Sequence, residues 1–226
     1  MIKTQLATRR IAFAAALATI GIGSAHAEAF GLLNGRSADP GSLPPLSVEG
    51  GFVAGDLYET LGLRVNYRLT PDLVLYGDLG LVEVGRADEE TGYGVGVFYF
   101  LAFQQMLPGQ DVALKASYHL ASAEFDELVD PDPTDDDPAL VSRSASVDYD
   151  SVALEVLVSS RDPIAENGVS WYLNGGVNII GGGNADSTEL LVGGGAYMPF
   201  GPGEVYGGID FVDELQFGVG YRYFVR

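Results

Sequence analysis

The sequence contains no cysteine, only two histidines and one tryptophan, and few positively charged residues. Without cysteine the chain can form no disulfide scaffold, and it has no thiol to serve as a nucleophile or a zinc ligand. It has 12 Lys and Arg residues against 31 Asp and Glu residues, which gives a formal net charge of −19. Because nucleic-acid binding needs a basic surface, this charge balance excludes nucleic acid as an expected partner.

Long hydrophobic runs are absent beyond the N-terminus, although 47% of the 226 residues are hydrophobic. At the N-terminus, Lys3, Arg9 and Arg10 precede the short apolar run IAFAAALATIGIG and the small-residue sequence SAHA. This order is typical of a secretory signal peptide and predicts that residues 1–27 are removed by cleavage after Ala27. Loss of the three positive charges takes the net charge from −19 to −22. No run of about eighteen apolar residues follows, so no transmembrane helix is expected.

The rest of the chain alternates between apolar and polar residues, which is the period of a β-strand with two different faces. Between Leu61 and Leu69 the odd positions are apolar or aromatic, and Arg64, Asn66 and Arg68 lie between them. Ten segments are predicted to be strands, near 46–54, 59–69, 73–84, 93–104, 111–122, 147–159, 169–180, 188–198, 204–211 and 214–225. The preceding segment, 28–45, contains three prolines and is predicted to be irregular.

Short connectors alternate along the chain with longer, more polar ones. The connector 161–168 is compact, whereas 85–92, the long acidic 124–146 and 181–188 are more polar. This alternation is typical of an antiparallel up-and-down transmembrane β-barrel, which has short periplasmic turns and longer external loops. We therefore expect an all-β fold, a barrel over residues 46–226 with about ten strands, or eight if two weak segments are loops. A soluble lipocalin-like barrel is the alternative, but this apolar face would overpack its interior.

Two stretches resemble a known group: the strand–turn–strand unit NYRLTPDLVLYGDLGL (66–81) and the closing LQFGVGYRYF (215–224). Both are similar to the small outer-membrane β-barrel proteins of Gram-negative bacteria, the OmpA-like and opacity-type group. The resemblance implies a place in the cell outer membrane and contact with its lipid and lipopolysaccharide. It also implies recognition of the C-terminal strand by the barrel-assembly machinery. Such proteins usually end on an aromatic residue, whereas here Val225 and Arg226 follow Phe224.

Charged residues on the polar faces are predicted to point into the lumen. They are Arg64, Arg68, Asp78, Lys115, Glu155, Asp210 and Arg222. An isolated charge inside a narrow barrel is costly to desolvate, so we expect these residues to pair in a network that fills the lumen. A hairpin that turns at Pro71 places Asp78 near the height of Arg64, where the two can pair across the ladder. The alternative is a polar pore that conducts small solutes.

The expected function is a structural or surface-interaction role, with a narrow porin-like diffusion channel as the alternative. A barrel-embedded lipid-modifying or proteolytic enzyme comes third, and it would use Ser117 and His119, which share one face of a strand without an evident third group. We interpret His119 as a polar lumen residue, so no catalytic residue, cofactor or metal ligand is predicted. The eight carboxylates between Glu124 and Asp137 fit no defined calcium loop, and we expect at most loose binding of divalent cations there.

Overall fold

The computed structural model describes residues 32, 35–39, 41, 43–55, 58–84, 90–101, 109–129, 141–182, 187–212 and 214–225. The strands are β1 (Leu46–Ala54), β2 (Tyr58–Thr70), β3 (Leu73–Val84), β4 (Glu90–Leu101), β5 (Gln110–Val129), β6 (Val141–Ser160), β7 (Ser170–Gly182), β8 (Ser187–Phe200), β9 (Gly203–Val212) and β10 (Glu214–Val225). The predicted signal peptide, 1–27, lies outside the described residues. In the described ranges, no helix is long and apolar enough to cross a membrane.

The strands form one closed barrel in which each strand pairs antiparallel with its neighbours in sequence. The first and last strands complete the circle, with β1 paired to β10 from Leu46↔Val225 to Ala54↔Phe217. The prediction of an all-β, up-and-down barrel of about ten strands is therefore confirmed. Because every strand has a partner on both sides, the sheet has no open edge around the barrel wall, as a sheet in lipid requires.

The register of the strands determines the width of the barrel. Starting at Glu49, one can step from each residue to the residue directly opposite it on the next strand. Going around the barrel through β2 this path reaches Ser187 on β8, and going the other way through β10 it reaches Pro199 on β8. These two residues are 12 positions apart, which is the stagger of the barrel. With a rise of about 3.3 Å per residue and a strand spacing of about 4.8 Å, this stagger tilts the strands by about 40° and gives a backbone radius of about 10 Å. Long side chains from different walls can bridge a lumen this narrow.

The two faces of each strand differ in the way that the alternation predicts. On β2, Leu63 is 56% exposed, whereas the next residue, Arg64, is 0% exposed. The outward side chains are mostly large and apolar. Aromatic members of this set lie near the short-turn ends of the strands (Tyr67, Tyr99, Trp171 and Tyr223) and toward the opposite ends (Tyr93, Tyr118, Phe211 and Phe217). An apolar band between two aromatic girdles is the outer surface of a transmembrane barrel.

The long hairpin between β5 and β6 differs from the loop that the sequence predicts over 124–146. The ladder continues as far as Val129↔Val141, whereas β4 reaches β5 only at Leu120 and β7 reaches β6 only at Tyr149. Eight residue pairs of this hairpin thus lie beyond both neighbouring strands, a projection of roughly 25 Å at about 3.3 Å per residue. On the β6 side, residues 141–147 read VSRSASV, with serine at every second position, and this period of two prevails over the loop-like composition of the hairpin. Residues 130–140 lie outside the described residues.

The chain before β1 enters the barrel, and we call its described residues between 32 and 43 the inner segment. The backbone N–H of Ala38 donates to Ser159 Oγ on β6 at 2.7 Å. From another wall, Arg222 Nη2 on β10 donates to the carbonyl oxygen of Gly35 at 2.9 Å. Leu32 is only 4% exposed. The sequence predicts the irregular conformation of this segment but gives no indication that it lies in the lumen.

Candidate functional site

A row of alternating charges lines the inner wall across five neighbouring strands. Directly opposed positions carry Glu204 on β9, Arg222 on β10, Glu49 on β1, Arg64 on β2 and Asp78 on β3. All five residues are buried. Because the sign changes at each step, every carboxylate in this charge row faces a guanidinium on an adjacent strand. The row crosses the β1–β10 seam at which the barrel closes.

The arginines of the charge row bind their neighbours at short distances. Arg222 Nη1 lies 2.7 Å from Glu204 Oε2, and its Nε lies 2.9 Å from Glu49 Oε1. Arg64 donates from Nε to Asp78 Oδ1 at 2.6 Å and from Nη2 to Asp78 Oδ2 at 2.9 Å. This two-pronged contact is the strongest geometry for an arginine and a carboxylate.

Arg36 of the inner segment joins the charge row from inside the lumen. Its Nη2 donates to Glu49 Oε1 at 2.6 Å and to Asn66 Oδ1 at 2.7 Å. Asn66 Nδ2 also donates to Glu49 Oε1, at 2.6 Å. The centre of the Arg36 guanidinium lies 4.0 Å from the centroid of the Phe98 ring on β4. Arg36 is 0% exposed, so its charge is held entirely by groups of the protein.

The arginines of the charge row also lie over aromatic rings. The Arg64 guanidinium carbon is 4.4 Å from the centroid of Tyr76, and that of Arg222 is 5.5 Å from the centroid of Tyr206. Tyr76 precedes Asp78 by two residues on β3, so one strand supplies both the carboxylate for the edge of Arg64 and the ring for its face. Such a cation–π contact contributes about 0.5–2 kcal/mol, and most when water is excluded.

His119 extends the charge row to β5. Its Nε2 lies 3.0 Å from Asp78 Oδ2, although β4 intervenes at Gly94. A methyl group at Gly94 would collide with the His119 ring, so a glycine at this position lets the imidazole cross the strand. Ser117 lies buried on the same face of β5, but its Oγ has no hydrogen-bond partner. The described residues contain no Ser117–His119 hydrogen bond, and the enzyme alternative stays a prediction.

A second polar cluster faces the lumen from β5 to β9. Lys115 Nζ and Glu155 Oε1 are 2.6 Å apart at directly opposed positions. Asn174 Nδ2 on β7 donates to Glu155 Oε2 at 3.2 Å. Asp210 on β9 is 1% exposed and lies opposite Gly193 on β8. Within the described ranges, no group of three or more His, Cys, Asp or Glu side chains could hold a metal ion.

A separate ion pair lies at the short-turn end of the barrel. Arg161, which follows β6, donates to Asp111 Oδ1 from Nε at 3.2 Å and from Nη2 at 2.8 Å. These hydrogen bonds raise the pKa of Arg161 above its ordinary value. The pair ties the β6–β7 turn to β5 and lies outside the polar clusters of the lumen.

The structure places the predicted lumen residues at two depths of burial. Six are buried on the inner face: Arg64, Asp78, Lys115, Glu155, Asp210 and Arg222. The seventh, Arg68, lies near the short-turn end of β2 and is half-buried. Glu49 and Glu204 are not among the predicted lumen residues, although they share the alternating phase of inner residues on their strands. Arg36 precedes the first strand, where no periodicity indicates the direction of a side chain.

Comparison with known proteins bears on the fold alone. No family model matches the chain, and no curated protein matches it. Among solved structures, the chain is similar to the KdgM porin at 12% identity and a TM-score of 0.45, over 80% of this chain and 99% of the porin. It is similar to the N-terminal β-barrel domain of OprF from Pseudomonas aeruginosa at 12% identity and a TM-score of 0.34, over 79% of this chain and 96% of that domain. LpxR from Salmonella typhimurium is similar at 9% identity and a TM-score of 0.39, over 79% of this chain and 100% of LpxR.

The closed ten-strand barrel and its apolar outer band confirm the class that the sequence resembles, the outer-membrane β-barrels. The solved structures named above include a porin and other barrels, and they assign no activity to this chain.

Proposed function

We propose that the protein is an outer-membrane β-barrel with a structural or surface-interaction role and a closed lumen. The observation that carries this proposal is Arg36, which lies inside the barrel between Glu49, Asn66 and the ring of Phe98. A solute on its way through the lumen would have to displace this side chain from its buried carboxylate. Breaking a buried ion pair is costly, so the barrel is expected to stay closed to ions.

The projecting β5–β6 hairpin supports a role outside the membrane. It extends beyond both neighbouring strands at the end of the barrel opposite the short turns. Its sequence includes the acidic stretch from Glu124 to Asp137, which can attract divalent cations that bridge to anionic lipopolysaccharide. Partners of the barrel itself would be membrane lipid at the outer band and the assembly machinery at β10.

Planar-bilayer recording of the refolded full-length protein tests the closed lumen. The unmodified protein is expected to show little steady conductance. Arg36→Ala removes the side chain that bridges the walls and should increase the frequency of open events. Arg161→Ala is the matched control, since it removes an arginine from the short-turn end and leaves the charge row intact. Steady conductance of the unmodified protein that Arg36→Ala leaves unchanged would contradict the proposal and favour the narrow diffusion channel.

A further inference from the structure

The projecting part of the β5–β6 hairpin has two edges along which no described strand pairs. β4 pairs with β5 no farther than Leu120, and β7 pairs with β6 no farther than Tyr149, whereas the two strands of the hairpin remain paired to Val129↔Val141. An edge of this kind offers a row of backbone N–H and C=O groups to another extended chain. We call the edge of β5 over residues 121–129 the free edge.

The free edge lacks the features that commonly keep a strand edge from pairing. Proteins block such edges with lysine, with proline or with a β-bulge. Residues 121–129 contain neither lysine nor proline. The register of β5 with β6 runs without a shift from Gln110↔Ser160 to Val129↔Val141, so the described part of this hairpin contains no bulge. The free edge can therefore accept a further strand.

The charges of the hairpin determine which strand the free edge accepts. The eight residue pairs that project beyond the neighbouring strands include four carboxylates and one arginine. Arg143 of β6 lies directly opposite Glu127, whereas serines lie directly opposite Glu124 and Asp126. A strand on the other side of β5 could place basic residues directly opposite Glu124 and Asp126. Opposite charges at such positions are stabilising, and like charges are destabilising.

We propose that the free edge binds an extended, basic polypeptide segment, which adds a strand to the hairpin. This inference rests on the surface-interaction role proposed above and names the partner of that surface. Backbone hydrogen bonds along the edge provide affinity, and lysine or arginine at alternate positions of the segment provides specificity. The same carboxylates disfavour a second copy of this chain as the partner, because its hairpin would bring like charges together.

Binding of short synthetic peptides to the refolded full-length protein in detergent tests this inference, with EDTA present to remove divalent cations. The probe is a fluorescent peptide of alternating lysine and threonine, and fluorescence anisotropy measures its dissociation constant. One control peptide has glutamate in place of lysine and is expected not to bind. The other keeps the lysines but has methylated backbone nitrogens. It is expected to bind about tenfold more weakly, because it cannot donate hydrogen bonds to the edge.

Two double variants locate the binding site. Glu124→Gln with Asp126→Asn should weaken binding of the lysine peptide about tenfold, because two pairs of opposite charges are lost. Asp162→Asn with Glu166→Gln removes two exposed carboxylates from the β6–β7 turn at the opposite end of the barrel, and it should leave binding unchanged. Hydrogen exchange provides a second measurement, since backbone amides within residues 121–129 should become protected when the peptide adds a strand.

Several results would overturn the inference. They are failure of the lysine peptide to bind, equal affinities of the methylated and unmethylated peptides, and unchanged binding in the variant that combines Glu124→Gln with Asp126→Asn. Sedimentation of the unmodified protein as a dimer that the lysine peptide does not dissociate would also overturn it, because a second copy would then occupy the edge. None of these results bears on the closed lumen, which bilayer recording tests separately.

Discussion

At the scale of single residues, the contact between Arg64 and Asp78 shows how a carboxylate is held inside the barrel. Asp78 receives two hydrogen bonds from Arg64 and a contact from His119. The ring of Tyr76 covers the face of the same guanidinium. Both charges are withdrawn from water. Removing one partner would therefore leave the other charge buried without compensation, and this is where the contact has its largest effect on stability.

Asp78→Ala tests this contact. The substitution leaves Arg64 buried without its carboxylate, and we expect the free energy of unfolding to fall by about 3–5 kcal/mol. The double variant Asp78→Ala with Arg64→Ala should recover part of this loss, since neither charge remains. Urea unfolding of the refolded protein measures both. Asp72→Ala, in the exposed turn of the same hairpin, is the control and should change stability by about 0.5 kcal/mol or less. Strictly additive losses in the double variant would show that the pair does not couple.

At the scale of strands, alternation in the sequence predicts which face of the sheet a residue lies on. It predicts the residue's partner on the next strand only where a short turn between the two strands sets their register. Arg64 and Asp78 lie on either side of the tight turn at Pro71, so their approach can be predicted from the sequence. Glu49 and Arg222 are 173 residues apart, and their pairing depends on the closure of the whole barrel. The alternating phase alone would have placed Glu49 on the inner face, but no local pattern identifies its partner.

The same limit applies to the segments that do not alternate. The sequence before β1, residues 28–45, contains three prolines and no period, so nothing local predicts that Arg36 enters the lumen. The β5–β6 hairpin shows the opposite case, because its acidic composition suggests a loop while its residues continue the ladder. The strands that form the barrel wall can therefore be predicted from the sequence, whereas the residues that fill the lumen can be predicted only in part.

The stability of the seam between β1 and β10 is expected to depend more on Arg222 than on Arg36. Arg222 binds Glu49 and Glu204, so Arg222→Ala leaves Glu204 without an arginine and Glu49 with Arg36 alone. After Arg36→Ala, by contrast, Glu49 keeps Arg222. We expect a loss of about 3–5 kcal/mol for Arg222→Ala and a smaller loss for Arg36→Ala, both from urea unfolding. A larger loss for Arg36→Ala would mean that the inner segment, and not the seam, limits stability.

On the outer face of β2, the free-energy cost of introducing a charged residue is expected to depend on its depth in the membrane. Leu63 is 56% exposed near the middle of its strand, and Tyr67 is 54% exposed near the short-turn end. Leu63→Arg should cost about 2–4 kcal/mol on folding into lipid vesicles, whereas Tyr67→Arg, close to the membrane interface, should cost about 0–1 kcal/mol. Equilibrium refolding into vesicles measures both. Equal costs would contradict a lipid-facing band centred on Leu63.

At the scale of the whole molecule, closure of the barrel makes the folded state compact and resistant to detergent. Each strand is paired on both sides, so local fraying finds no free edge from which to begin. We expect unboiled protein to migrate in detergent gels as a faster, compact band that disappears on heating. Protein unfolded in urea before loading is the control for the slow band. Recovery of the protein from the periplasm as a detergent-free, soluble monomer would exclude a transmembrane barrel.

The contacts of Arg222 also bear on the kinetics of barrel closure. This residue of the last strand reaches Glu49 of the first strand and the carbonyl of Gly35 in the inner segment, 173 and 187 residues away in the chain. Contacts this distant are expected to form late, because closing so long a stretch of chain carries a large entropy cost. Interactions absent from the folding transition state act mainly on the unfolding rate, so we expect Arg222→Ala to speed unfolding of the closed barrel more than it slows folding.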